Sequence, residues 1–202
     1  MNRIVLPADA PATTRRMLLL GGLALLAGCD HQPRASFKGV DLSDATYGRD
    51  FHLKDAQGRE RTLADFHGKV VLLHFGFTQC ADACPTLLAR SVQIRKLLGK
   101  DADKLQVVFV TLDPERDTPE LLKAYTTAFD PSFVALSGDP EATRAMAANF
   151  KVFFRKVPAG SAYSLDHSLL SYAFDPEGHL RVALRYNMAA EDCVQDLHQL
   201  LA

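Results

Sequence analysis

The sequence predicts an α/β sandwich, and three observations carry that prediction. "KVVLLHFGF" (Lys69–Phe77) and "LQVVFVTL" (Leu105–Leu112) are short apolar runs with too few polar residues for sheet edges. They read as central strands buried on both faces. Helical patterns with start signals alternate with these runs, as βα connections require. A strand–turn–strand pattern and an amphipathic helix then close the chain.

Length and composition agree with a folded domain. The chain has 202 residues, 48% of them hydrophobic and 23% charged, enough for one core plus an appendage. Its net charge of −1 and the lack of any Lys/Arg-rich run exclude a nucleic-acid footprint.

Along the chain, "TTRRMLLLGGLALLAGC" places Arg15 and Arg16 before an apolar run from Met17 to Ala27, then small residues and Cys29. The run is too short to span a bilayer and has the length of a signal-peptide core. Leu26-Ala27-Gly28-Cys29 resembles a bacterial lipobox, which implies cleavage before Cys29 and lipid on that cysteine. The arginine pair resembles a twin-arginine export signal, with the general secretory route as the alternative. Asp30 resembles an inner-membrane retention signal. The expected organisation is a lipoprotein signal peptide over 1–28, a lipidated tether over 29–46 and a folded domain over 47–202. Everything after Cys29 is expected outside the cytoplasm, facing the periplasm from the inner membrane, where thiols tend to oxidise.

In the folded part, "RDFHLKDAQGRERTL" reads as a hairpin turning at Gln57-Gly58. After the first central strand comes "FTQCADACPTLL" and a helix whose apolar stripe runs through Leu87, Leu88, Ser91, Ile94, Leu97 and Leu98 to a stop at Gly99. After the second central strand, Thr118-Pro119 and Asp139-Pro140 each supply a helix cap followed by proline at the first helical position. "SLLSYAF", "DPEG" and "HLRVAL" form the last hairpin, and "AAEDCVQDLHQLLA" the closing helix. That element order is thioredoxin-like, with an N-terminal hairpin and a middle insertion.

Cys80 and Cys84 fall in the loop after the first central strand, where ligand sites of α/β sheets collect. Pro85 is tolerated only in a first helical turn, so the helix starts near Cys84 and its dipole favours thiolate there. A spacing of four suits three roles: a redox pair, two metal ligands or a structural disulfide. His167 in "YSLDHSLLSYAF" precedes the last hairpin, at the place where thioredoxin-like folds carry a cis-proline facing the cysteine loop. Two thiolates and that imidazole would make a three-donor set suited to Cu(I), with Zn(II) as second choice.

Three stretches, "FGFTQCADACPTLL", "VVFVTLDPERDTPE" and "LDHS", resemble the Sco/SenC family of copper-binding, thioredoxin-like assembly factors for cytochrome c oxidase. Ala81 departs from the family, which commonly has proline before the aspartate. The resemblance implies that Cys80, Cys84 and His167 ligate copper, as Cu(I) and with Cu(II) left open. It implies the copper-bearing oxidase subunit as partner, with an upstream copper donor or thiol reductant. The alternative is an extracytoplasmic thiol–disulfide oxidoreductase using the Cys80/Cys84 pair. Asp113 is read either as orienting a ligand or as turn chemistry, Asp82 as a solvated acid or a docking contact, and Glu115–Pro119 as turn and cap. His74 is read as a hydrogen-bonded core residue, Cys193 as a buried inert thiol, and His52, His67, His179 and His198 as surface positions.

Overall fold

The computed structural model describes residues 36–201, so the signal peptide and the lipidation site Cys29 lie outside the described residues. An eight-stranded sheet is built from β1 (Val40–Asp41), β2 (Leu53–Asp55), β3 (Glu60–Arg61), β4 (Val70–Gly76), β5 (Leu105–Thr111), β6 (Val134–Ser137), β9 (Ser171–Phe174) and β10 (Leu180–Leu184). Their spatial order is β1-β10-β9-β4-β5-β6-β2-β3. β7 (Phe154–Ala159) and β8 (Ala162–His167) form a separate two-stranded ribbon. Among the described residues, four α-helices accompany the sheet: α1 (Ala83–Leu98), α2 (Pro119–Thr127), α3 (Pro140–Asn149) and α4 (Ala190–Leu201).

β4 and β5 are buried at every residue, as their apolar sequences require. They run parallel with Gly76 opposite Thr111, while β9 runs antiparallel to β4 with Ser171 opposite His74. One sheet end therefore collects three segments: the cysteine loop after β4, the "DPERD" segment after β5, and the approach to β9 that carries His167. The expected caps form. Thr118 Oγ1 accepts from Leu121 N at 3.3 Å, and the Asp139 carboxylate accepts from Glu141 N at 2.9 Å and Ala142 N at 2.8 Å. Gly99 ends α1 with φ +56°, a conformation that costs glycine little.

Two features differ from the sequence reading. Val40–Asp41, inside the expected tether, pairs with Val182 and Ala183 of β10. The cause is Asp196 on α4, fully buried, whose carboxylate accepts from Lys38 N at 2.7 Å and Gly39 N at 2.8 Å. A Cβ on Gly39 would lie 2.6 Å from the Ala183 carbonyl oxygen, so the close approach needs glycine. The second is the β7–β8 ribbon, to which no sequence pattern assigned an element. His74 behaves as expected, held between Ser171 Oγ at 2.7 Å and Ser91 Oγ at 2.8 Å, and burial pushes its pKa down to about 3. Cys193 is fully buried and burial pushes its thiol up to about 11. His52, His67, His179 and His198 are exposed.

Candidate metal centre

Strand β4 delivers the chain to Cys80, and α1 begins three residues later, placing Cys84 in its first turn. Cys80 is half-buried; Cys84 is 1% exposed. Both are free thiols. Glycine at 76 makes room for the second sulfur, because a Cβ there would sit 2.6 Å from Cys84 Sγ and 2.9 Å from Phe109 Cε2. His167, the last residue of β8, completes the group: one ligand atom from each of Cys80, Cys84 and His167 lies within 4.8 Å of the others. Cys84 Sγ and His167 Nε2 are 3.8 Å apart.

The imidazole is fixed for ligation. Its Nδ1 lies 2.8 Å from the Ser168 carbonyl oxygen, which can only accept, so Nδ1 carries the proton and Nε2 turns its lone pair to the sulfurs. Phe77, buried at 2% exposure, meets the ring edge-on with centroids 5.9 Å apart. The donor chemistry fits a soft ion with few ligands: two sulfurs and one neutral nitrogen.

The two thiols are electrostatically unequal. A hydrogen bond from Cys84, followed by the Cys84 and Asp82 backbone N–H groups, holds Cys80 down to about 5 against the opposing effect of burial. Donating that bond, together with burial, raises Cys84 far above the thiol range, so the thiolate expected at the helix start falls on Cys80 and not on Cys84. Iodoacetamide titrated across pH 4–9 on the reduced protein should therefore alkylate Cys80 first, with a rate midpoint near pH 5. A midpoint at the ordinary thiol value of about 8.5, read by mass spectrometry of the modified peptides, would contradict this ordering.

Around the donors stands a polar frame from the "DPERD" segment. Asp113 is 1% exposed, and its bonds run to Arg116 and to Tyr163 Oη at 2.8 Å, so it holds the frame and not a donor atom. Asp117 is 2% exposed; its carboxylate accepts from Thr78 N at 3.0 Å, Thr78 Oγ1 at 2.5 Å and Thr111 Oγ1 at 2.6 Å. Arg116 donates to Gln79 Oε1 at 3.0 Å and to the Tyr163 carbonyl at 2.8 Å. Sequence reasoning assigned Arg116 and Asp117 to turn and cap chemistry. The usable signal was their place, directly after the carboxyl end of a buried parallel strand. Asp82 is exposed at the head of α1, and its side chain makes no cap bond.

A family model described as SCO1/SenC matches residues 40–202. The chain belongs to the SCO1/SenC family. Among solved relatives, apo Sco1 from Thermus thermophilus is 39% identical, with TM-score 0.70, covering 84% of this chain and 99% of that one. ScoI from Bradyrhizobium japonicum, solved with copper bound, is 37% identical, with TM-score 0.68, covering 75% and 98%. Mitochondrial SCO2 of Saccharomyces cerevisiae is 33% identical over 196 residues, 93% of this chain. The SCO1/SenC chain spans 65% of that yeast protein's length.

Proposed function

We propose that this SCO1/SenC protein is a copper chaperone that holds Cu(I) between Cys80, Cys84 and His167 and delivers it to the dinuclear copper site of cytochrome c oxidase. The observation that carries the reading is the convergence of two thiol sulfurs and a tautomerically fixed imidazole within 4.8 Å. Copper bound in the Bradyrhizobium relative supports the choice of ion.

Unequal burial gives transfer a direction. An acceptor thiolate reaches the ion from the half-exposed Cys80 side, while the buried Cys84 retains it until the new bond forms. We place this work in the periplasm, with the domain anchored to the inner membrane through lipid on Cys29. Support for that comes from the lipobox-like Leu26–Cys29 and its upstream arginines. A copper donor or thiol reductant acts upstream, and Asp82, exposed beside the thiols, is available as a docking contact.

A second reading draws on the same inequality. As a thiol–disulfide oxidoreductase, the Cys80 thiolate attacks one sulfur of an oxidase-subunit disulfide, and Cys84 then displaces the mixed disulfide. The client leaves as a dithiol, the pair remains as Cys80–Cys84 disulfide, and an upstream reductant restores it. Anaerobic titration of the reduced protein against a chromophoric Cu(I) chelator separates the readings. One tightly bound equivalent, absent after oxidation to the disulfide, supports the chaperone. Failure to compete, together with rapid turnover of a disulfide substrate, would leave the oxidoreductase.

A further inference from the structure

The frame beside the metal centre touches both arms that carry donors. On one side it reaches the cysteine loop: Asp117 holds Thr78, and Arg116 holds Gln79, the residue before Cys80. On the other it reaches the ribbon that ends in His167. Glu115 pairs with Lys156 of β7 at 2.6 Å, Asp113 accepts from Tyr163 Oη at 2.8 Å, and Arg116 donates to the Tyr163 carbonyl. Arg116 alone in this set bonds to both arms, through one guanidinium nitrogen.

Its fit is specific to arginine. The guanidinium carbon lies 3.7 Å from the centroid of the Tyr163 ring and 6.0 Å from that of Phe77. Its Nε is bonded to the buried Asp113 carboxylate. A planar fork can stack on a ring while donating sideways to a carboxylate, a carbonyl and an amide oxygen; an ammonium cannot do all four. Along β8, Tyr163 and His167 are four residues apart and share a face of the strand. Phe77, the other ring near the guanidinium, is also the ring that meets His167 edge-on.

We infer that Arg116 is a positioning residue for the metal centre, holding the His167-bearing ribbon at a fixed distance from the cysteine loop. The inference rests on the copper reading above. It acts through His167, so its effect must vanish where His167 is gone, whereas a general contribution to stability would persist.

The test is a double-mutant cycle with Cu(I) as probe: the full chain, Arg116→Ala, His167→Ala and the double variant, reduced and titrated against the same chelator. Arg116→Ala is expected to lose about 10- to 100-fold in affinity, as supporting residues of metal ligands do. His167→Ala should lose more, and the double variant no more than His167→Ala. Loaded with Cu(II), Arg116→Ala should also show weakened nitrogen hyperfine structure by electron paramagnetic resonance. Additive losses, or unchanged affinity in Arg116→Ala beside a large loss in His167→Ala, overturn the positioning role and leave the copper site standing. Unchanged affinity in His167→Ala overturns both readings together. Should Arg116→Ala fold poorly, Arg116→Lys carries the same cycle, since it keeps the charge without the fork.

Discussion

Replacing His167 with alanine should lower Cu(I) affinity by at least about 100-fold while barely changing the apo fold. Loss of groups that merely support a metal ligand costs about 10- to 100-fold, so removal of a ligand should exceed that range. Two sulfurs would remain, one half-exposed and one buried, with no third donor among the described residues within their group. The fold loses little by comparison. His167 is half-buried, and its ring makes one edge-on contact with Phe77 and a hydrogen bond to the adjacent Ser168 carbonyl. An aromatic contact of that kind contributes about 1 kcal/mol. In a chain of this size that is a melting shift of about 2–4 °C. The two readouts must therefore separate: chelator competition should change greatly, and apo thermal melting slightly. A large drop in melting temperature with intact affinity would make His167 a structural residue and remove the imidazole from the site.

That site was legible in the sequence because each part leaves a local mark. The cysteines sit at the end of an apolar run that reads as a strand buried on both faces, and the histidine precedes a recognisable hairpin. Thr118-Pro119 and Asp139-Pro140 were likewise readable, since a cap bond spans two or three residues. β1 was not. Its place is fixed by Asp196, more than 150 residues away, and no window over 36–46 contains that partner. The β7–β8 ribbon also escaped, for a different reason. It stands outside the main sheet and most of its residues remain at least partly exposed, so "FRKVPAGSAYSLDH" lacks the apolar alternation that marks a half-buried strand. The sequence reading thus puts His167 before the last hairpin without the strand that presents it.

Asp117 shows the limit most sharply, and it carries the largest stability effect expected here. "DPERDTP" is locally a turn followed by a cap, and Thr118 does cap α2. Nothing within the motif says that the residue before the cap points inward. In the fold its carboxylate gathers three donors, two from Thr78 and one from the fully buried Thr111, tying the cysteine loop to β5. Asp117→Ala strands those donors, at about 1–3 kcal/mol for each that finds no water or new partner. The hydroxyls can rotate and Thr78 is partly exposed, so the total should come to about 2–4 kcal/mol, read as a lowered urea midpoint at unchanged slope. Asp117→Asn should recover most of it. Its amide oxygen can take the Thr78 N–H and Thr111 hydroxyl now on Oδ2, and its amide nitrogen can donate to Thr78 Oγ1, which turns to accept. If asparagine is as unstable as alanine, the negative charge and not the acceptor geometry holds the loop. The asparagine variant also isolates a charge effect, because the Asp117 carboxylate adds to the forces that keep Cys84 protonated. With the bonds kept and the charge removed, Cys84 should ionise more readily than in the wild type, seen as faster alkylation of Cys84 at fixed alkaline pH. Equal rates in the two proteins would confine Asp117 to holding the loop.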